Sequence, residues 1–231
     1  IINEVSQGVD GNKEYIEFLV VDEVVSYNCS STTPPTIDIR EWIIDDNNGY
    51  HGSNGVAPGA IRFSNDPVWA AVPLGTLLLV YNGDDFNPEI NDGNVDLSDG
   101  ICQIAVPISD PQYFESNATT PGDVACDYPA AGWTPGADWT NISMRNGGDC
   151  ARIVNTAGCE VFSVCYGDVS DNTQIYFAGS GSNRVYSFMG GDPEDQANWV
   201  SGCADVPNCG TQDQTPGAPN SPEKYGVHRS V

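Results

Sequence analysis

Positive charge is what this sequence lacks most. Eight Lys and Arg residues stand against 32 Asp and Glu, a formal net charge of -24. A surface so dominated by one sign repels phosphate backbones and anionic headgroups, so nucleic-acid partners are not expected. Histidine is nearly missing as well. Of the two present, His51 lies in the turn-rich "DDNNGYHGSNG" and His228 in the C-terminal tail, so a His-dependent triad has little to draw on. There is no G-x-S-x-G elbow, no H-E-x-x-H pair and no Gly-rich loop carrying a P-loop lysine. The many acids make some carboxylate pair inevitable, so such a pair does not single out glycoside hydrolysis. A non-catalytic protein is the expectation. The longest strongly apolar run, "LGTLLLVY" at 74–81, falls well short of the roughly 20 residues a spanning helix needs, so direct membrane insertion is not expected.

What is present fits one sizeable β-rich core. The chain has 231 residues, 39% of them apolar, enough for a single large domain. Eight cysteines, an even count in a chain that starts at Ile1, point to an oxidising compartment and to secretion, with any signal peptide expected to have been removed or to lie outside this sequence. No C-x2-C pair exists, which argues against a thiolate zinc site. Cys203 and Cys209 bracket "ADVPN" closely enough for a local disulfide, and Cys102 with Cys126 would staple two long loops together. Cys29, Cys150, Cys159 and Cys165 have no assignable partner from sequence.

Short apolar runs such as "EYIEFLVV", "TLLLVY", "CEVFSVCY" and "RVYSFM" recur between Gly, Pro, Asn and Asp clusters. With no helical period sustained, they predict an all-β fold. In residues 14–21 the residues Ile16, Phe18 and Val20 share one face and Glu17 alternates to the other, the pattern of a half-buried strand. Asn146-Gly147-Gly148 predicts a tight hairpin between "ISMR" and "CARIV". Single helical turns are expected only at "DPVWAAV" and "DPEDQANW", where Pro follows Asp. Two long polar stretches, 82–100 and 116–139, interrupt the strands. Loops of that length are usually functional or tied down. The tail from Thr215 onward has linker composition.

The acidic stretch raises the one cofactor expectation, Ca2+. Hard cations take six to eight oxygens from loops, and "DGNVD" sets Asp92, Asn94 and Asp96 at alternate positions, with Asp84, Asp85 and Asp99 available to complete a shell. Leu97 where an EF-hand has glycine, and no Glu at the twelfth position, exclude an EF-hand. Asp45, Asp46 and Asn47 form a second acidic cluster. A glycan platform would use Trp133, Trp139, Trp199 and Tyr128, although tryptophans beside cysteines commonly pack against disulfides. Asn28, Asn117 and Asn141 each head an N-x-[ST] sequon and are glycan acceptors if the source has the machinery.

The opening "INE" at 2–4 and "EYIEF" at 14–18 resemble the first strands of the lamin-tail domain family. "DIREWIIDD" at 38–46, with Trp42 and Asp46, resembles that family's tryptophan-bearing strand. "VAPGAIRF" and "VPLGTLLLVYN" resemble its turn-and-buried-strand segments, and "QTPGAPN" at 214–220 its closing motif. The resemblance is closest to the large secreted versions of Bacteroidetes-type bacteria. It implies an immunoglobulin-like β-sandwich over residues 1–220 and an attachment or interaction role; the chain departs from the family in its length, with cysteine-bearing additions after residue 100 read as disulfide-stapled loop insertions, and a linker-like tail is expected at 221–231. Because the chain opens on a strand, Ile1, Ile2, Asn3, Glu4 and Val5 are expected to form an assembly edge that accepts a neighbour's strand, giving a homo-oligomer or filament. The rival expectations are a calcium-dependent glycan-binding adhesin, or an accessory domain of a larger secreted hydrolase. The expected partners are thus further copies of itself, other surface proteins or glycans.

Overall fold

The computed structural model describes residues 1–9, 13–22, 35–46, 59–90, 94–97, 102–119, 128–137, 142–169, 175–211, 213–218 and 220. The strands are β1 (Ile2–Ser6), β2 (Tyr15–Leu19), β3 (Thr36–Ile37), β4 (Ile43–Asp45), β5 (Ala60–Phe63), β6 (Val72–Pro73), β7 (Leu77–Tyr81) and β8 (Gln103–Pro107), then β9 (Phe114–Asn117), β10 (Thr134–Pro135), β11 (Gly148–Val154), β12 (Glu160–Gly167), β13 (Ile175–Phe177), β14 (Arg184–Phe188) and β15 (Trp199–Cys203). One short helix, α1 (Val206–Cys209), follows. No helix among the described residues is long and apolar enough to cross a membrane. The two predicted helical turns form as 3-10 turns at Pro67–Ala71 and Gln196–Asn198. In each, the preceding aspartate, Asp66 or Asp195, accepts a backbone N–H two residues on, the usual N-cap arrangement.

The fold is all-β. One sheet runs β15-β14-β1-β2-β7-β8, a second runs β10-β9-β5-β4-β11-β12-β13, and β3 pairs with β6. Strand alternation sends Ile2, Val5, Ile16, Phe18, Leu78, Val80, Tyr186 and Phe188 from the first sheet into one hydrophobic cluster. Ile44, Ile61, Phe63, Phe114, Ala151, Ile153, Phe162 and Val164 enter it from the second, so the two sheets pack face to face. Trp69 is fully buried beside Phe63 and Phe114, its ring N–H donating to the Tyr113 carbonyl at 2.9 Å. Most pairings are antiparallel, but β7 with β8 and β12 with β13 run parallel.

Several expectations change. The assembly edge at Ile1 to Val5 does not exist, because β1 lies inside its sheet with β14 on one side and β2 on the other. Ile2, Asn3, Glu4 and Val5 are buried, and a strand with both neighbours in place has no ladder to offer. β2 is buried on both faces rather than half-buried. Its outer face, with Tyr15 and Glu17, is covered partly by Ile90 from the acidic loop, which packs with Tyr15, Leu79, Tyr81 and Ala105. The long polar stretch at 82–100 thus supplies an apolar anchor to the sheet. Residues 142–145 are not a strand, so Asn146-Gly147 turns an irregular segment, not a hairpin arm, into β11.

Of the disulfides, the expected Cys203 to Cys209 bridge forms, and one not assignable from sequence has a different character. Cys150 and Cys165 are directly opposite on β11 and β12, a cross-strand bridge within one sheet rather than a loop staple. Cys203 and Cys209 join across the short loop after β15. Cys102 and Cys159 are disulfide-bonded too. Cys29 and Cys126 lie outside the described residues, and with them the expected Cys102 to Cys126 pairing; the tail at 221–231 lies outside as well.

Candidate functional site

The strands expose two ends of the layered core, and their chemistry is opposite. At the first end the inward-facing positions continue the strand alternation but change from apolar to polar. Ser6 pairs with Tyr15 and Tyr15 with Tyr81, so one residue further on Gln7, Glu14 and Asn82 form a row across β1, β2 and β7. From the second sheet, Asp46 follows the inward Ile44 by two positions and Asp149 precedes the inward Ala151 by two. All five are buried, none more than 2% exposed.

These side chains grip the backbone of residues 142–145. Ser143 N donates to Asp46 Oδ2 at 2.9 Å, Met144 N to Glu14 Oε1 at 2.9 Å, and Arg145 N to Asp149 Oδ2 at 2.7 Å. Asn82 Nδ2 donates to the Ile142 carbonyl at 2.7 Å and Gln7 Nε2 to the Met144 carbonyl at 3.2 Å. Successive N–H groups of an extended segment point alternately to opposite sides. Side chains from both sheets thus replace the missing ladder and satisfy backbone groups that burial would otherwise leave unpaired. Desolvation pushes Glu14 up to about 9, with the Asp149 and Asp85 charges adding to the rise. Burial, then Asp149 and Asp45, holds Asp46 well above the usual carboxylate range.

A second set of buried acids holds the chain's C-terminal motif against the outer face of the first sheet. A bulge between Ile2 and Glu4 turns both Asn3 and Glu4 toward that face. Glu4 accepts from Thr215 N at 2.9 Å, Thr215 Oγ1 at 2.7 Å, Ser187 Oγ at 3.0 Å and the Tyr15 hydroxyl. Gln214 Nε2 donates to Ser6 Oγ, and Asn220 Nδ2 to the Asn3 and Phe188 carbonyls. Gly217 N donates to Glu17 Oε2, and its φ of 73° is one that glycine adopts without strain. Residues 215–218 and 220, read from composition as linker, are clamped to the domain.

The opposite end is an apolar slot of about 140 Å³ between the sheets, lined by Ile1, Phe18, Val20, Ile37, Ile39, Trp42 and Phe63, with the exposed Val161 at its rim. Trp42 also borders a shallow polar depression with Asp38, Arg40, Glu41, Asn65 and Thr156. Arg40 Nε donates to Asp38 Oδ1 at 2.9 Å at the surface. Glu41 takes a φ of 63°, unusual for a non-glycine residue, and its N–H is held by the Phe63 carbonyl at 2.9 Å. This slot and its charged rim form the described surface best suited to a partner, since apolar clefts with a few polar groups beside them are the common form of binding sites.

Among the described residues, those expected to bind calcium form no ligand group. Asp84, Asn94 and Asp96 are exposed; Asp85 Oδ2 accepts from Lys13 N at 2.8 Å, and Asn94 Oδ1 accepts from Asp96 N at 2.6 Å. Asp92 and Asp99 lie outside the described residues. Among the described residues, the one group of three thiol or carboxylate ligands within reach of a single ion is Cys203, Asp205 and Cys209, whose two sulfurs are joined to each other. Asp45 and Asp46 do not form a cluster either: adjacent on a strand, they face opposite sides, and Asn47 is outside the described residues. Asp45 faces outward to Arg152 Nη1 at 3.7 Å and to the Tyr128 hydroxyl at 2.6 Å, while Arg152 Nε holds Glu160 at 2.6 Å.

Among the described residues, Tyr128, Trp133 and Trp199 form no common aromatic platform. Tyr128 and Trp133 pack on Ile43, Ala60 and Val154, with Arg152 and Arg62 over their rings. Trp199 is buried between Phe162 and Phe188, its N–H on the Pro193 carbonyl. Trp139 is outside the described residues. Asn117 is closed to a glycan in the folded state, because it is buried with Nδ2 donating to the Ala131 carbonyl and Oδ1 accepting from Thr119 N. Asn28, Asn141, His51 and His228 lie outside the described residues. The inward polar row and the slot went unseen in the sequence, although continuing each strand's alternation by one step would have flagged Gln7, Glu14, Asn82, Asp46 and Asp149. Searches of protein-family models, curated proteins and solved structures found no match to this chain.

Proposed function

We propose that the chain is a non-catalytic secreted or cell-surface interaction module, an immunoglobulin-like sandwich of the lamin-tail kind, that meets a partner protein through its Trp42 end. The observation that carries this reading is the slot itself: an apolar cleft between the sheets opening beside Asp38, Arg40 and Glu41 and sharing Trp42 with that charged rim. The disulfides at Cys150 to Cys165 and Cys203 to Cys209 are compatible with an extracellular life. The resemblance gains support from the way its scattered segments meet, since Asn3, Glu4 and Glu17 from the opening motifs hold Thr215, Gly217 and Asn220 of the closing one. The buried acids serve as backbone grips, which leaves them unavailable as an acid and base pair at an open cleft.

The test places a photo-crosslinking residue at Val161 on the slot rim and, as a control, at Val206, which lies beside Pro88 and Lys13. Displayed on cells of the source, the Val161 position is expected to give one discrete adduct, either with a second copy or with another surface protein, and the control none. No adduct from Val161, or turnover of a glycan, peptide or ester substrate by the purified chain, contradicts the reading.

A further inference from the structure

Glu14, Asp46 and Asp149 share one buried layer, and each accepts a backbone N–H from consecutive residues of a segment that no ladder holds. We propose that this end of the molecule is a pH-sensitive latch: with protons on the cluster it holds Ser143 to Arg145 between the sheets, and on ionisation it releases them.

Two observations carry the inference independently of any partner at the Trp42 end. The first is that, among the described residues, no cation pairs with Glu14 or Asp46. Arg152 lies on the outer face with Asp45 and Glu160. Arg145 reaches Asp168 at the surface and the Gly148 carbonyl. No ion pair joins Lys13 to the cluster among the described residues. The other charged or titratable groups acting on it are acidic or phenolic: Asp85 on Glu14, Asp45 on Asp46 from the far side of the strand, and Tyr166 on β12, whose hydroxyl donates to the Arg145 carbonyl. The second is a shortage of donors. Asp46 Oδ1, Asn82 Oδ1 and Gln7 Oε1 are buried without a partner. Neither amide can be turned over to cure this, because Asn82 Nδ2 faces the Ile142 carbonyl and Gln7 Nε2 faces the Met144 carbonyl. A proton on a carboxyl oxygen adds a donor to a layer crowded with acceptors.

Ionisation strengthens each N–H contact, but a few neutral N–H groups, such as Asn82 Nδ2 beside Met144 N at Glu14 and Cys150 N beside Arg145 N at Asp149, do not replace the hydration of a full charge. Like charges sharing a dry layer repel as well. The balance favours opening the layer to water, which bares Ile142 and Met144, both almost fully buried in the closed form. The direction of the Glu14 and Asp46 shifts agrees with that balance.

The test is amide hydrogen exchange at Ser143, Met144 and Arg145, followed at about pH 6 and about pH 9 in chelator-treated buffer, with intrinsic rates divided out. Protection of these amides is expected to fall by about tenfold or more at the higher pH, while amides of β11 and β12 away from the cluster hold theirs. In Glu14→Gln and Asp46→Asn, each of which keeps an acceptor for the segment, the pH-dependent fall is expected to shrink. If one variant fails to fold, the other carries the test. Equal protection of the native chain at both pH values, or an undiminished fall in a folded variant, overturns the latch.

Discussion

Asp45 and Asp46 are neighbours in the chain and opposites in the fold. Asp45 turns to the outer face of its sheet, where Arg152 and the Tyr128 hydroxyl meet it. Asp46 turns inward to a layer where, among the described residues, no cation meets it and Ser143 N is its hydrogen-bond donor. Both are buried essentially completely. Strand alternation alone sent two identical side chains into environments where opposite forms are favoured: the charged form where a guanidinium waits, the protonated form where only backbone N–H groups do. Burial by itself therefore does not determine what a carboxylate does. The group opposite it does.

That contrast can be broken most severely on the outer face. Arg152→Met is expected to destabilise the fold by about 3 to 5 kcal/mol, since it strands Asp45 and Glu160 without their cation, and urea denaturation at neutral pH measures it. Next in size is loss of the cross-strand bridge beside Arg152. Cys150→Ala with Cys165→Ala is expected to cost about 3 kcal/mol from loop closure, and Cys203→Ser with Cys209→Ser less, since the separations are 15 and 6 residues. Thermal melting of both pairs gives the ranking.

On the first sheet, Thr215→Val removes the Thr215 hydroxyl from Glu4 and Asn220. A loss of about 1 to 3 kcal/mol is expected, because the Glu4 and Asn220 acceptors each lose a buried partner, seen as a lower denaturation midpoint and as proteolysis near residue 215. The inner end should respond with the smallest change and the reversed sign. A carboxyl raised in the fold contributes most at acid pH, below the ordinary value near 4.5, and that contribution is lost as pH climbs toward the value of about 9 at Glu14. Glu14→Gln is then expected to be near neutral at acid pH and stabilising by about 1 kcal/mol above neutrality. A guanidinium-denaturation series across that window, with the native chain as reference, checks the crossing.

Part of this architecture was legible in the sequence. The alternation of Ile16, Phe18 and Val20 marks a core-facing strand, and "LLLVY" at 77–81 marks a strand buried on both faces. An Asp-Pro pair marked the first 3-10 turn, because the capping Asp66 carboxylate and the fixed Pro67 φ act locally; the second turn begins three residues after Asp192-Pro193 and is capped by Asp195 instead. Strand order was not legible. Nothing in residues 1–5 reveals that β14, some 180 residues later, covers their outer edge, since pairing partners are chosen by long-range packing. The inner row was half visible: one more step of alternation leads from Ile16 to Glu14, from Val80 to Asn82 and from Ala151 to Asp149. What hid it was the habit of reading a polar residue at a strand end as the start of a solvated loop. The slot was invisible, because its lining comes from several strands and the β3 region, with no spacing in common.

The most direct test of the central claim is infrared difference spectroscopy of carboxyl groups at neutral pH in metal-free buffer. The account predicts a protonated carboxylic C=O band in the native chain that weakens in Asp46→Asn and again in Glu14→Gln, and that is untouched when Asp45 is replaced by Asn. A spectrum with every carboxyl ionised at neutral pH, or a band that disappears with Asp45 instead, would contradict it.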